Sequence, residues 1–240
     1  DLHKITNVDW IIEVVVERLD IKKQVFEKIE KHRKEGTLIS SNTSGIPIES
    51  MIDGRSDDFK AHFCGTHFFN PPRYLKLLEL VKGKKTSDDV YDTVANFGET
   101  ILGKGIVHAK DTPGFIGNRL INAGGRLVLE KALEMGLSVE DVDALSGTLV
   151  GNAKSAYFRT QDIVGLDTTV NVSNNILKDL PKDESKGKFK LPKSVKELYK
   201  RKWWGDKTKQ GYYKKTINKE GKKEILELNL KTYEYGPRTK

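Results

Sequence analysis

The stretch THFFNPPRYLKLLELV, residues 66–81, decides how this chain is read. Its first half alternates like a strand, Pro71 and Pro72 break the pattern, and residues 74–81 read as a second apolar strand interrupted by Lys76 and Glu79. If the two strands lie side by side in one sheet, His67 and Glu79 can face each other. A lone carboxylate on an apolar strand is costly to bury because it loses its hydration, and an imidazole beside it removes that cost. A general base needs the same arrangement: one ring nitrogen free for a substrate proton, the other oriented by an acceptor. The two residues fit equally a surface histidine at a strand end and a glutamate on a sheet edge, so their spacing leaves both readings open.

Towards the N-terminus, WIIEVVV at 10–16 is a continuous apolar run of the kind found in a buried parallel strand. Glu17 closes it. Residues 19–35 carry Ile21, Val25, Phe26 and Ile29 at helical spacing. A short strand over 37–41 runs into Asn42-Thr43-Ser44-Gly45, a short helix follows over 48–53, and 61–69 is the strand that carries His67. Alternating strands and helices with polar residues at the strand C-terminal ends predict an open α/β sheet with a ligand crevice at those ends. Glu17, Asn42, Ser44, His67 and Asn70 would all stand on that rim. Towards the C-terminus, 87–102 is a helix with Ser87 as N-cap, and 105–109 a last short strand. Lys110-Asp111-Thr112-Pro113-Gly114 marks a boundary, beyond which only helical patterns follow, over 115–135, from Ser138, over 160–180 and over 194–202. From Lys214 the chain is polar and charged and reads as a tail or linker. The expected division is 1–112 for the α/β part, 113–215 for a helical part and 216–240 for the linker or tail.

At 240 residues the chain can hold one large domain or two small ones. Lys plus Arg number 42 against 34 for Asp plus Glu, a formal charge of +8. The excess suits an anionic ligand, but the charges are scattered among acids rather than gathered in the aromatic-laced stripe that nucleic acid requires. A phosphate-bearing small molecule is the better partner, with no nucleic acid expected. The single cysteine, Cys64, excludes an internal disulfide and a multi-thiolate zinc site, and no metal is expected; a reducing, cytoplasmic setting fits. No apolar run approaches membrane-spanning length, so no membrane partner is expected either.

Taken together, several motifs resemble the 3-hydroxyacyl-CoA dehydrogenase family: WIIEVVVERLDIK at 10–22, SNTS at 41–44, HFFNPP at 67–72, LLELV around Glu79, KDTPGFIGNRL at 110–120, DIVGLDT at 162–168 and GDKTKQGYY at 205–213. They run in the family's order over nearly the whole chain. The resemblance implies NAD-linked interconversion of a (3S)-3-hydroxyacyl-CoA and its 3-ketoacyl form. It makes His67 the general base and Glu79 its orienting partner, gives Ser44 a hydrogen bond to the substrate oxygen, and puts the Asn118 amide near the thioester. Glu17 and Lys22 match residues on the nicotinamide and ribose side, Asn42 and Asn70 others near the nicotinamide, and Lys207 a lysine that reaches the cofactor. It also implies a homodimer through the helical part, where Leu120, Leu127 and Val128 exceed what one small core needs.

The family's first strands, with the glycine-rich turn that cradles pyrophosphate, have no counterpart. Neither Gly103-x-Gly105 nor Gly124-Gly125 opens a helix directly after a strand, as that fingerprint must. The expected fold is therefore α/β, an incomplete Rossmann-like parallel-sheet domain followed by an all-helical C-terminal domain. The chain as given is expected to bind NAD poorly, and the natural protein to extend at both ends. EILELNLKTYEYGPR at 224–238 resembles the connector that leads, in bifunctional members, into an enoyl-CoA hydratase domain. Two other readings compete: a catalytically silent assembly or dimerisation fragment, and a related β-hydroxyacid dehydrogenase acting on a free acid.

Overall fold

The structure is a computed structural model and describes residues 2–239; positions 1 and 240, the outermost of the first and last segments named above, lie outside it. Two compact units divide after Arg119. The first contains β1 (Trp10–Glu13), α1 (Leu19–His32), β2 (Leu38–Ser41), α2 (Ile48–Met51), α3 (Asp57–Ala61), β3 (Phe63–Phe68), β4 (Leu77–Lys82), α4 (Asp88–Thr100) and β5 (Gly105–Ala109). The strands lie in chain order in one sheet. β1–β2, β2–β3 and β4–β5 pair in parallel, whereas β3–β4 is antiparallel. The link between Phe68 and Leu77 is too short for the crossover that a parallel neighbour requires.

Strand alternation sorts the core onto two faces. Phe63 and Val81 point to the side covered by α1, α2 and α3, where Phe26, Phe59 and Phe63 interlock with ring centroids 5.1 to 5.9 Å apart. Cys64, Leu78 and Leu80 point to the other side, against Val94 of α4. Gly65 lets α2 sit close, since a Cβ there would lie 2.8 Å from Ile48 Cδ1 and 2.9 Å from Val81 Cβ. Ser87 caps α4 by accepting the Val90 N–H, and Asp88 and Asp89 in the first turn complement the helix dipole.

The apolar run over 10–16 departs from expectation. The strand stops at Glu13, whose carboxylate accepts the Val15 N–H at 2.5 Å and turns the chain out of the sheet. Val14 and Val16 are consequently 71% and 59% exposed, and Ile12, on the outermost strand, is 42% exposed.

Helix α5 (Gly117–Met135) starts in the first unit and runs on into the second. The second unit continues with α6 (Val139–Ser146), α7 (Phe158–Val164), α8 (Leu166–Asp179) and α9 (Lys193–Lys200). Ser138 and Asp141 form a reciprocal capping box on α6. The single helix expected over 160–180 is two, broken at Gly165, whose φ of 96° suits glycine and where a Cβ would meet Asp167 Oδ1 at 2.5 Å.

The segment expected as linker or tail is instead folded, and the second unit is not all-helical. β6 (Tyr213–Ile217), β7 (Lys223–Leu228) and β8 (Tyr235–Pro237) form an antiparallel sheet. Leu228 and Leu230 are buried in the same cluster as Leu129, Val139, Phe158 and Leu198. Asp162 of α7 pins this sheet to the helices: 2% exposed, it accepts the Tyr212 and Tyr213 N–H groups, both at 2.8 Å. Gly205 and Gly211 make room for it, since a Cβ on either would come within 2.2 Å of an Asp162 atom.

Burial pushes the Asp162 carboxyl up from 3.8 to about 6. A native pKa above the unfolded one means that the folded state holds the extra proton between the two values, so this group's contribution to stability falls as pH rises from about 4 to about 6 and is level above. Its full size is about 3 kcal/mol. Urea unfolding followed across that window should show this slope in the parent protein and lack it in Asp162→Asn.

Candidate active site

His67 and Glu79 are register partners across the β3–β4 pair, which puts both side chains on one face of the sheet. His67 Nδ1 lies 2.7 Å from Glu79 Oε2. The other carboxylate oxygen, Oε1, accepts the Ile116 and Gly117 N–H groups at 2.9 and 2.7 Å. Those donors come from the start of α5 and the turn before it, so the DTPGFIGN segment closes over the pair. Glu79 is fully buried and His67 4% exposed. Phe69 and Phe115 flank the imidazole with centroids 4.5 and 5.7 Å away. Gly117 is required here, because a Cβ would lie 2.5 Å from Phe69 Cζ.

Burial pushes the Glu79 carboxyl pKa up, but the hydrogen bonds from His67 and the two backbone N–H groups outweigh it, and the net position is below the ordinary value. The carboxylate is therefore ionised at neutral pH. An ionised acceptor at Nδ1 fixes the tautomer with its proton there and leaves Nε2 as the basic nitrogen.

The other rim residues gather at the ends of β1, β2 and β3. Glu17 Oε1 accepts from Thr43 Oγ1 at 2.6 Å and from the Ser44 N–H at 2.8 Å. Asn118 Nδ2 donates to the Ser44 carbonyl at 2.8 Å, so it braces the 42–45 turn. Asn42 Oδ1 accepts the Phe68 N–H at 2.9 Å and ties that turn to the end of β3. Asn70 is exposed just beyond β3. Lys22, expected on the nicotinamide side, is 1% exposed, with its ammonium enclosed by Glu13, Glu17 and the Val15 carbonyl. It touches the rim only through Glu17. Lys207 belongs to the second unit, where it pairs with Asp167 at 2.9 Å and Thr168 Oγ1 at 3.2 Å.

Sequence reasoning missed Glu13, Thr43, Phe115 and Gly117. A signal existed for the first: an acid inside WIIEVVV has to be paired if that run is even partly buried. For Gly117 none existed, since its need is set by Phe69, distant in sequence.

Residues 1–112 match the model of the 3-hydroxyacyl-CoA dehydrogenase NAD binding domain, and 114–215 that of the 3-hydroxyacyl-CoA dehydrogenase C-terminal domain. A Bacillus subtilis (strain 168) protein named "Probable 3-hydroxyacyl-CoA dehydrogenase" is 50% identical over the whole chain, which covers 30% of that protein. A Rickettsia felis protein bearing the name of a fatty acid oxidation complex trifunctional enzyme is 35% identical over 97% of the chain and 33% of its own length. Among solved structures, (S)-3-hydroxybutyryl-CoA dehydrogenase PaaH1 from Ralstonia eutropha superposes with a TM-score of 0.74 at 27% identity, over 88% of this chain and 72% of that one. The chain belongs to the 3-hydroxyacyl-CoA dehydrogenase family, whose cofactor is NAD. It spans about a third of the length of these two curated relatives.

The rim carries residue types that could meet one end of that cofactor. A hydroxyl, two carboxamides and a carboxylate at the strand ends suit a nicotinamide and its ribose. Among the described residues no glycine-rich turn opens a helix after a strand, so the pyrophosphate has no such cradle in them. Nor, among the described residues, is there a group of three or more acidic, histidine or cysteine side chains that could hold a metal, or a helix long and apolar enough to cross a membrane.

Replacing Glu79 by Gln removes the charge and leaves an amide NH2 facing either an N–H or the imidazole, which should cost about 3 kcal/mol of stability at pH 7. A depressed native pKa contributes stability that is present above the ordinary carboxylate value and lost as pH falls through the native one. The gap between parent and Glu79→Gln in denaturant unfolding should therefore be full at pH 7 and shrink on titration below about pH 4.

Proposed function

We propose that this chain carries the proton-transfer centre for NAD-dependent oxidation of (3S)-3-hydroxyacyl-CoA thioesters to 3-ketoacyl-CoA. The observation that carries it is the 2.7 Å His67–Glu79 bond, closed off from water and locked by two further N–H donors. His67 Nε2 takes the proton of the substrate's 3-hydroxyl, and Glu79 stabilises the imidazolium that results. The Ser44 hydroxyl donates to the same substrate oxygen, and Asn118 holds the Ser44 turn while its amide lies towards the thioester. NAD, when bound, accepts the hydride that leaves C3. Glu17, Asn42 and Asn70 would line its nicotinamide end.

The substrate class is supported by the family and by the name of the Ralstonia relative. Fusion to further catalytic domains is supported by the Rickettsia relative's name, that of a trifunctional enzyme, and an enoyl-CoA hydratase domain is the one that the resemblance of residues 224–238 implies. A reducing, cytoplasmic setting is supported by Cys64, a buried lone thiol whose pKa burial pushes up to about 12. A second copy of the chain is supported by Leu120 and Leu127, 67% and 56% exposed on α5, although Val128 is partly buried against the second unit's own core.

NADH oxidation dependent on acetoacetyl-CoA, measured with the complete protein, tests the reading, and the same assay on the 240-residue chain tests whether that chain is silent by itself. His67→Ala should lower kcat by about two to four orders of magnitude, and a loss below tenfold would contradict the general-base role. Turnover of free acetoacetate but not of its thioester would favour the free-acid reading, and a folded protein that turns over neither would favour the silent assembly fragment. Sedimentation at micromolar concentration should give a dimer, and Leu120→Glu with Leu127→Glu a monomer of unchanged helicity.

A further inference from the structure

A chain of hydrogen bonds runs from the buried end of β1 to the backbone of Ser44. Glu13 is 3% exposed; Lys22 Nζ donates to its Oε1 and Oε2 at 2.9 and 3.0 Å, Ser41 Oγ donates to Oε2 at 2.6 Å, and the Val15 N–H to Oε1 at 2.5 Å. The same ammonium lies 3.2 Å from Glu17 Oε2 and 3.5 Å from the Val15 carbonyl, so its proton-donating capacity is spent inside the protein. Glu17 is the outward member, about a third of its side chain exposed, and its other oxygen holds Thr43 Oγ1 and the Ser44 N–H.

One ammonium serves two carboxylates, and of the two only Glu17 reaches water. An apolar pair of the same volume would fill the space around Glu13 and Lys22 without the desolvation cost of burying charge. What the ionic set supplies in addition is direction: it fixes where the Glu17 carboxylate points.

We propose that Glu13 is a positioning residue that, by clamping Lys22, holds Glu17 against the Ser44 N–H and so sets the place of the Ser44 hydroxyl at the rim. Its bearing on catalysis rests on the substrate role given to Ser44 above; the clamp itself does not. The test is amide hydrogen exchange read residue by residue in the 240-residue chain, with the Gly117 N–H, held by Glu79, as internal control. Glu13→Gln and Lys22→Met should each speed Ser44 exchange at least tenfold with Gly117 unchanged. The double variant should do no more than either alone, because both break one link. A merely structural role would speed both amides together and overturns the proposal, as does unchanged Ser44 exchange or multiplication of the two effects. Glu17→Gln, at the solvent-facing end, covers the case in which the buried variants fail to fold: Ser44 exchange must rise there too, and if it does not, the clamp is refuted. Turnover is not needed for this reading: a fast-exchanging Ser44 in Glu13→Gln with undiminished turnover in the complete protein would sink the role given to Ser44 and leave the clamp standing.

Discussion

Glu79 has no water to turn to. Its two oxygens must be satisfied entirely by protein donors, and this demand reaches in three directions. It fixes the β3–β4 register, since a slip of one residue would carry His67 to the opposite face. It ties the start of α5 to the sheet, because the Ile116 and Gly117 N–H groups are orphans of a helix terminus that find their acceptor there. It also forbids a side chain at 117, where the chain must pass between Phe69 and the carboxylate.

The His–Glu pair was legible in the sequence because two apolar segments around a proline break place residues of similar distance from the turn opposite one another. Cross-strand pairing then needs no tertiary information beyond adjacency. The buried lysine was not legible. Lys22 stands one turn into an amphipathic helix where a solvated lysine is the ordinary expectation, yet its ammonium turns back to Glu13. Hydropathy also misplaced Val14 and Val16. An apolar run is read as buried, but one carboxylate accepting a backbone N–H ended the strand before the run did.

The second unit shows the opposite error, polar composition concealing order. In KEILEL a charge stands beside most apolar positions, so the average reads as linker, while the alternation sends Leu226 and Leu228 to the inner face and leaves Ile225, on the other face, 40% exposed. Glu227 breaks the alternation and is itself buried, accepting the Glu140 N–H at 2.8 Å at the start of α6. The unit that looked like a helical bundle with a loose end is thus closed by its own last strands, fastened to the helices at Asp162 and at Glu227.

Burial of Leu228 and Leu230 in one cluster with Leu129 and Leu198 means that the last strands are not a detachable end. Trimming them would strip apolar cover from the helices and turn a folded core into a sticky surface.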